Sequence, residues 1–247
     1  MAIINIKSKE RKPAALLFFM FFSIVSATIT GASVRDAVFL TQFDKSYLPV
    51  MFITIAVVMA GVIALYKKLT AGQDQIFVIS ISGALFSVSL FLLQSNLSGL
   101  FIPVLYIWME VVTILSIFQF WILAGEVFNA RQAKRIFTLM GAGGSFAGMG
   151  AGYGIKPFVS TFGSENLLFL TIFFIGLSVV MAQMLRPFRM PHKHKKVNSK
   201  PVPKSKTEFE PYLKSIALLI GLAAFVSKII DYQFKMMAAD AFPNQND

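Results

Sequence analysis

The sequence predicts an all-α membrane protein, a polytopic helical bundle of six transmembrane helices followed by the start of a seventh. Composition is the first reason: 56% of the 247 residues are hydrophobic and only 14% are charged, whereas soluble domains carry roughly a quarter charged residues. The second reason is patterning, because a helix spans a bilayer with about 20 apolar residues. Six such runs occur, at 14–33, 47–66, 75–94, 99–124, 136–157 and 166–185.

The basic residues predict the orientation of these runs. Seventeen Lys and Arg residues lie in the termini and loops of one side, and only Arg35, Lys45 and Lys156 lie on the other. Cationic loops stay in the cytoplasm, so the N-terminus is predicted to be cytoplasmic. This asymmetry also explains most of the net charge of +11, so we expect the lipid bilayer as a partner and no nucleic acid.

The predicted segments follow in order along the chain. Residues 1–13 form a short cytoplasmic tail, 14–187 the six-helix bundle, 188–210 a basic cytoplasmic linker and 211–247 the seventh helix. The first run could instead be a cleaved signal peptide, but it is longer than the usual apolar region of such peptides. Outer turns are expected at 35–46, 95–99 and 156–165, and inner loops at 66–74 and 126–135.

The seventh helix contains only 12 consecutive apolar or small residues, Ser215 to Val226, before Lys228 and Asp231 interrupt it. So short a stretch does not cross a bilayer alone. We therefore expect either an interrupted helix or a helix with charges at membrane depth. Six helices, a basic linker and a seventh helix match half of a major-facilitator-like fold plus the beginning of its second half. A second half, encoded separately or beyond residue 247, is the expected partner.

Charged residues within the runs are the candidate functional residues, because charges at membrane depth are costly and usually face protein or water. Glu110 lies inside the fourth run, and it either bonds a neighbouring helix or lines a cavity that senses a cation, a proton or substrate. Arg35 and Asp36 close the first helix, and they either pair at the outer interface or meet a phosphate at a cavity mouth. Lys156, at the outer end of the fifth helix, has the same two interpretations.

Lys228, Asp231 and Lys235 are spaced three and four residues apart, so they share one helix face. Whether the helix is interrupted or carries these charges at membrane depth, this face is expected to border an aqueous path. The three residues then either bind or gate a substrate, or pair with one another without a substrate role. Both interpretations place charge beside polar surroundings rather than lipid.

Glycines are dense in the fifth run. Gly144, Gly148 and Gly152 recur every four residues, a stripe that lets another helix pack closely. A phosphate-binding loop is not expected, since no Lys-Ser/Thr pair follows. The chain has no Cys, and its two histidines, His192 and His194, lie in the linker, where a solvated loop is favoured over a weak metal site. We predict no enzyme activity, no metal and no cofactor.

Three short strings resemble the nucleotide (ATP/ADP) transporter family of plastids and intracellular bacteria, and more closely its bacterial relatives. They are Arg35–Leu40 with Leu48-Pro49, Phe120-Trp121 continuing through Phe128, Arg131 and Ala133–Arg135 to Phe137 and Gly141–Gly144, and Asp231–Lys235. The resemblance implies a twelve-helix fold in a bacterial inner membrane that exchanges nucleotides by alternating access. It places Arg35, Asp36, Asp231 and Lys235 in motif positions.

The expected function is therefore that of a transporter fragment whose parent exchanges a nucleotide or another anionic solute, with cationic side chains binding its phosphates. Two alternatives remain open. One is a transporter of another solute that is proton-coupled through Glu110, and the other is a membrane sensor or scaffold that does not transport.

Overall fold

A computed structural model describes residues 8–95, 97–189 and 210–241. These residues confirm the all-α prediction, and their helices fall into two units, α1 to α6 and α7 alone, which are described separately. The helices are α1 Ser8–Gln42, α2 Leu48–Thr70, α3 Gln75–Gln94, α4 Phe101–Val127, α5 Ala130–Phe162, α6 Leu167–Met184 and α7 Glu210–Ala241, with short 3-10 helices at Lys45–Tyr47 and Arg186–Phe188. Residues 1–7 of the predicted tail and most of the predicted linker, with His192 and His194, lie outside the described residues.

Local capping explains where the tightest turns occur. The Asp74 side chain accepts the backbone N–H of Ile76 and begins α3. Asn129 and Gln132 form a reciprocal capping box that begins α5 two residues after α4 ends. Such caps satisfy backbone N–H groups that lack a partner within the helix.

Two helices extend well past their apolar runs, and this corrects three predicted loops. α1 runs from Ser8 to Gln42, so the outer turn predicted at 35–46 is wrong in its first half. α5 runs from residue 130 to 162, which shortens the inner loop predicted at 126–135 and the outer turn predicted at 156–165. Lys156 therefore lies inside the helix. Polar residues continue both helices because neighbouring helices or solvent satisfy their side chains, which hydropathy alone does not show.

Six helices among the described residues are long and apolar enough to cross a membrane, namely α1, α2, α3, α4, α6 and α7. α5 is not among them, since its many glycines and polar residues lower its hydropathy. It nevertheless runs parallel to α1 along most of that helix: Gln132 bonds Glu10 at 2.8 Å, the rings of Phe146 and Phe18 are 6.2 Å apart, and Ile155 lines one cavity with Ala37. A helix that accompanies a spanning helix over this length is expected to cross with it.

The core forms around α1, which packs against α4, α5 and α6. α4 and α6 run antiparallel to α1, as seen in the pairs Phe39–Tyr106 and Phe21–Phe120 for α4. In α6, Thr171 bonds Thr30 through their hydroxyls at 2.9 Å, and the rings of Phe174 and Phe22 are 6.2 Å apart. This arrangement agrees with alternating crossings, in which odd-numbered helices share one direction and even-numbered helices the other.

α7 is one continuous helix of 32 residues, from Glu210 to Ala241. The expectation of an interrupted seventh helix is therefore wrong, and the alternative of charges within an apolar helix holds. The segment Tyr212–Ala238 is long and apolar enough to span, because Ile229 and Ile230 separate Lys228 from Asp231 and Phe234 follows them.

Candidate functional site

The structure brings three of the predicted site residues together between α1 and α4. The Arg35 guanidinium donates from Nε to Asp36 Oδ1 at 2.9 Å and from Nη1 to Glu110 Oε2 at 2.7 Å. Side-chain exposure is 9% for Arg35, 13% for Glu110 and 25% for Asp36. Arg35 lies seven residues before the end of α1, or roughly 10 Å along the axis, so the cluster sits below the end of the helix.

Tyr106 completes this cluster, and sequence reasoning missed it. The Arg35 guanidinium carbon lies 4.6 Å from the centre of the Tyr106 ring, a cation–π distance. Tyr106 precedes Glu110 by four residues on α4, so one face of α4 presents both an anion and a ring to Arg35. That spacing was visible in the sequence, but only the register of α1 against α4 shows which cation it meets.

The cluster limits what Arg35 can bind. Two carboxylates and one aromatic face already surround its guanidinium. Nε, Nη1 and Nη2 each donate to one of these carboxylates, so a phosphate that takes any of these hydrogen bonds has to displace Asp36 or Glu110. The arrangement can therefore exchange one anion for another, or exchange the Arg35–Glu110 ion pair for a proton on Glu110.

Lys156 lies apart from this cluster. It lines a cavity of about 490 Å³ together with residues of α1, α5 and the start of α6. The α1 residues of the cavity, Ile29, Ser33 and Ala37, lie on the side of that helix opposite Arg35, since positions two residues apart differ by about 200°. The cavity walls are mainly apolar, with Lys156 as the charged lining residue.

The glycine stripe behaves differently along its length. A Cβ at Gly144 would lie 3.1 Å from the Phe21 ring, so α1 packs closely there. Gly143, outside the predicted stripe, is tighter still, at 2.9 Å from the Phe18 carbonyl oxygen. Gly148 and Gly152 line the cavity, and no described atom lies within 4 Å of a Cβ built there. Helix packing at those two positions stays a prediction.

In α7, the predicted pairing along one face is present. Lys235 Nζ lies 3.0 Å from Asp231 Oδ2 across one turn. Lys228 lies one turn earlier on the same face. The substrate or gating role of these three residues stays a prediction.

A second set of ion pairs, which sequence reasoning also missed, lies at the opposite end of the bundle from Arg35. Arg189 donates from Nη1 to both oxygens of Asp74, each at 2.8 Å, and its Nε lies 2.8 Å from Glu126 Oε2. The hydrogen bond from Arg189 lowers the pKa of Asp74 below its ordinary value of 3.8. Beside this set, Arg135 lies 3.4 Å from the buried Glu10. These contacts join the ends of helices that belong to different hairpins.

Comparison with known proteins adds no assignment: no family model, no curated protein and no solved structure matches this chain. The resemblance to nucleotide transporters therefore rests on its three short strings.

Proposed function

We propose that this chain is part of a bacterial inner-membrane transporter, with its N-terminus in the cytoplasm, that exchanges an anionic solute of the ATP/ADP type by alternating access. The observation that supports it best is the cluster of Arg35, Asp36 and Glu110 inside an apolar bundle. Each ionisable group at such a depth costs about 2.5–3.5 kcal/mol on insertion scales. Packing alone does not require these groups, so a solute-handling role explains why they are there.

The contacts of Arg35 suggest how exchange would proceed. A bare guanidinium in an apolar bundle is costly, so Arg35 needs an anion both with and without solute. Glu110, at 2.7 Å, would serve as that anion in the solute-free state. An arriving phosphate would displace the carboxylate and accept the hydrogen bond that Nη1 now donates to Glu110, and departure of the phosphate would restore the ion pair.

One observation favours the proton-coupled alternative. Asp36 and Glu110 both contact the one guanidinium of Arg35, so a proton on Glu110 would weaken its bond and release Nη1. In that mechanism solute binding would follow the protonation of Glu110. A Glu110→Gln variant separates the two: it should remove the pH dependence of binding if the proton is coupled, and leave that dependence unchanged if exchange is purely anionic.

Direct binding tests the proposal. The chain is reconstituted in nanodiscs, and equilibrium binding of radiolabelled ATP and of adenosine is compared. Arg35→Met should weaken ATP binding about 10- to 150-fold, the loss of one charge-assisted hydrogen bond of about 1.5–3 kcal/mol, and should change adenosine binding little. Arg131→Gln, at an exposed position on α5, is the matched control. Equal loss for ATP and adenosine, or no ATP binding by the unaltered chain, would count against the proposal.

A further inference from the structure

Two adjacent small voids lie in the bundle among α1, α3, α4 and α6. Each measures about 10 Å³, roughly the space that one water molecule needs. Both are lined by Ser116 of α4 and Ser178 of α6. The first void also borders Gln119, and the second borders Thr28 and Thr113. Their walls thus carry hydroxyl and amide groups inside a core that is otherwise apolar.

Gln119 has a polar atom that the described residues do not satisfy. Its side chain is buried, with 3% of the residue exposed, and its Oε1 accepts the Ser82 hydroxyl at 3.0 Å. Its Nε2 has no hydrogen-bond partner among the described residues. Exchanging the two amide atoms would leave the oxygen unpaired instead. One atom of this amide therefore faces the core without a protein partner in either orientation.

An unpaired buried amide is strongly disfavoured, whereas a buried water with two to four polar partners is common. The Ser178 hydroxyl already donates to the Ile175 carbonyl at 2.7 Å, so its oxygen is left to accept from a water. The Ser116 hydroxyl can donate or accept.

We propose that each void holds one water molecule, that the first water accepts the N–H of Gln119 and donates to Ser178, and that Ser116 connects the two waters. The waters would bridge α4 to α1, α3 and α6. They would also hold the rotation of α4, the helix that presents Tyr106 and Glu110 to Arg35. This inference does not depend on which solute the protein carries.

Solid-state NMR of the full chain in lipid tests it. With ¹⁵N-labelled glutamine, the side-chain amide signal of Gln119 is assigned as the one that disappears in Gln119→Met. The proposal predicts a cross-peak from this amide to water protons that persists when surface water is frozen out. If the unaltered chain shows no cross-peak between this amide and bound water, the proposal is overturned.

Thermal unfolding gives a second readout of opposite sign for the two cases. If water satisfies the amide, Gln119→Met strands that water and lowers the melting temperature, by about 2–4 °C for each kcal/mol lost. If the site is dry, the same change removes an unpaired polar group and raises the melting temperature, which would also overturn the proposal. Gln42→Met, at the exposed end of α1, is the matched control and should leave the melting temperature unchanged.

Discussion

For the ion pair between Arg35 and Glu110, we predict that a double variant regains stability without regaining ATP binding. Removing the cation alone, as Arg35→Met, takes the guanidinium away from two carboxylates in a largely buried site, where the side chains of Arg35 and Glu110 are only 9% and 13% exposed. Breaking a buried ion pair in this way costs about 3–5 kcal/mol. That is a large share of the 5–15 kcal/mol that typically holds a domain folded. Glu110→Met is milder, because Arg35 still bonds Asp36 at 2.9 Å.

The double variant, Arg35→Met with Glu110→Met, removes both charges and replaces them with apolar side chains. Such replacements are often close to neutral. Part of the free-energy cost remains, because Asp36 loses its 2.9 Å hydrogen bond from Arg35. That part is small, since Asp36 is the most exposed of the three side chains at 25%. The double variant should therefore be more stable than Arg35→Met, with a coupling energy of about 1–3 kcal/mol.

The assay is thermal unfolding in detergent, followed by intrinsic fluorescence. Both tryptophans, Trp108 and Trp121, lie on α4, the helix that carries Glu110, so their signal reports on the affected region. ATP binding is measured on the same three variants. The proposed function predicts that the double variant regains stability but does not regain ATP binding. Additive losses of stability would refute the buried pair, and regained binding would show that the cluster is structural only.

Three further predictions follow from close contacts elsewhere. Gly143→Ala should destabilise the bundle by about 1–3 kcal/mol, because its Cβ would meet the Phe18 carbonyl at 2.9 Å. Gly148→Ala should instead gain about 0.5–1 kcal/mol from helix propensity, since no described atom lies within 4 Å of its Cβ. Shifts of the two melting temperatures in the same direction would contradict this. Arg189→Gln should cost about 1 kcal/mol or less. Because Asp74 has a lowered pKa, that cost should be present above pH 3.8 and vanish as the pH falls through the lowered pKa, so a cost that persists in acid would refute the pair. Lys156→Ala should weaken ATP binding less than Arg35→Met does, since the two residues lie on different sides of α1, and an equal loss would place both residues in one site.

Much of the fold was predictable from sequence because lipid imposes a simple length and hydropathy requirement on each crossing. The predicted run for the third helix coincides with α3, and the run predicted at 47–66 begins one residue before α2 and ends four residues before that helix does. Prediction failed at the ends of α1 and α5, where polar side chains find partners in other helices. Glu10 illustrates this, since it is buried near the start of α1 by Gln132 and Arg135 of α5.

The candidate site was predictable only in part. The cost of placing a charge at membrane depth identified Arg35 and Glu110 as candidate residues, and both belong to one cluster. Their pairing spans 75 residues of sequence, and it depends on the register of two antiparallel helices, which no local pattern specifies. For the same reason the sequence did not separate Lys156 from Arg35, or show that Gly148 and Gly152 face a cavity.

The central claim is that the helices cross a membrane in alternation and bring Arg35 and Glu110 to one depth. Because the chain contains no Cys, single cysteines can be placed in the turns without background and labelled with a membrane-impermeant maleimide in sealed, oriented vesicles. The account predicts that cysteines at Lys45, Ser98 and Glu165 react from one side of the membrane, and that those at Gln73 and Arg131 react only from the other. Reaction of all five from the same side would contradict it.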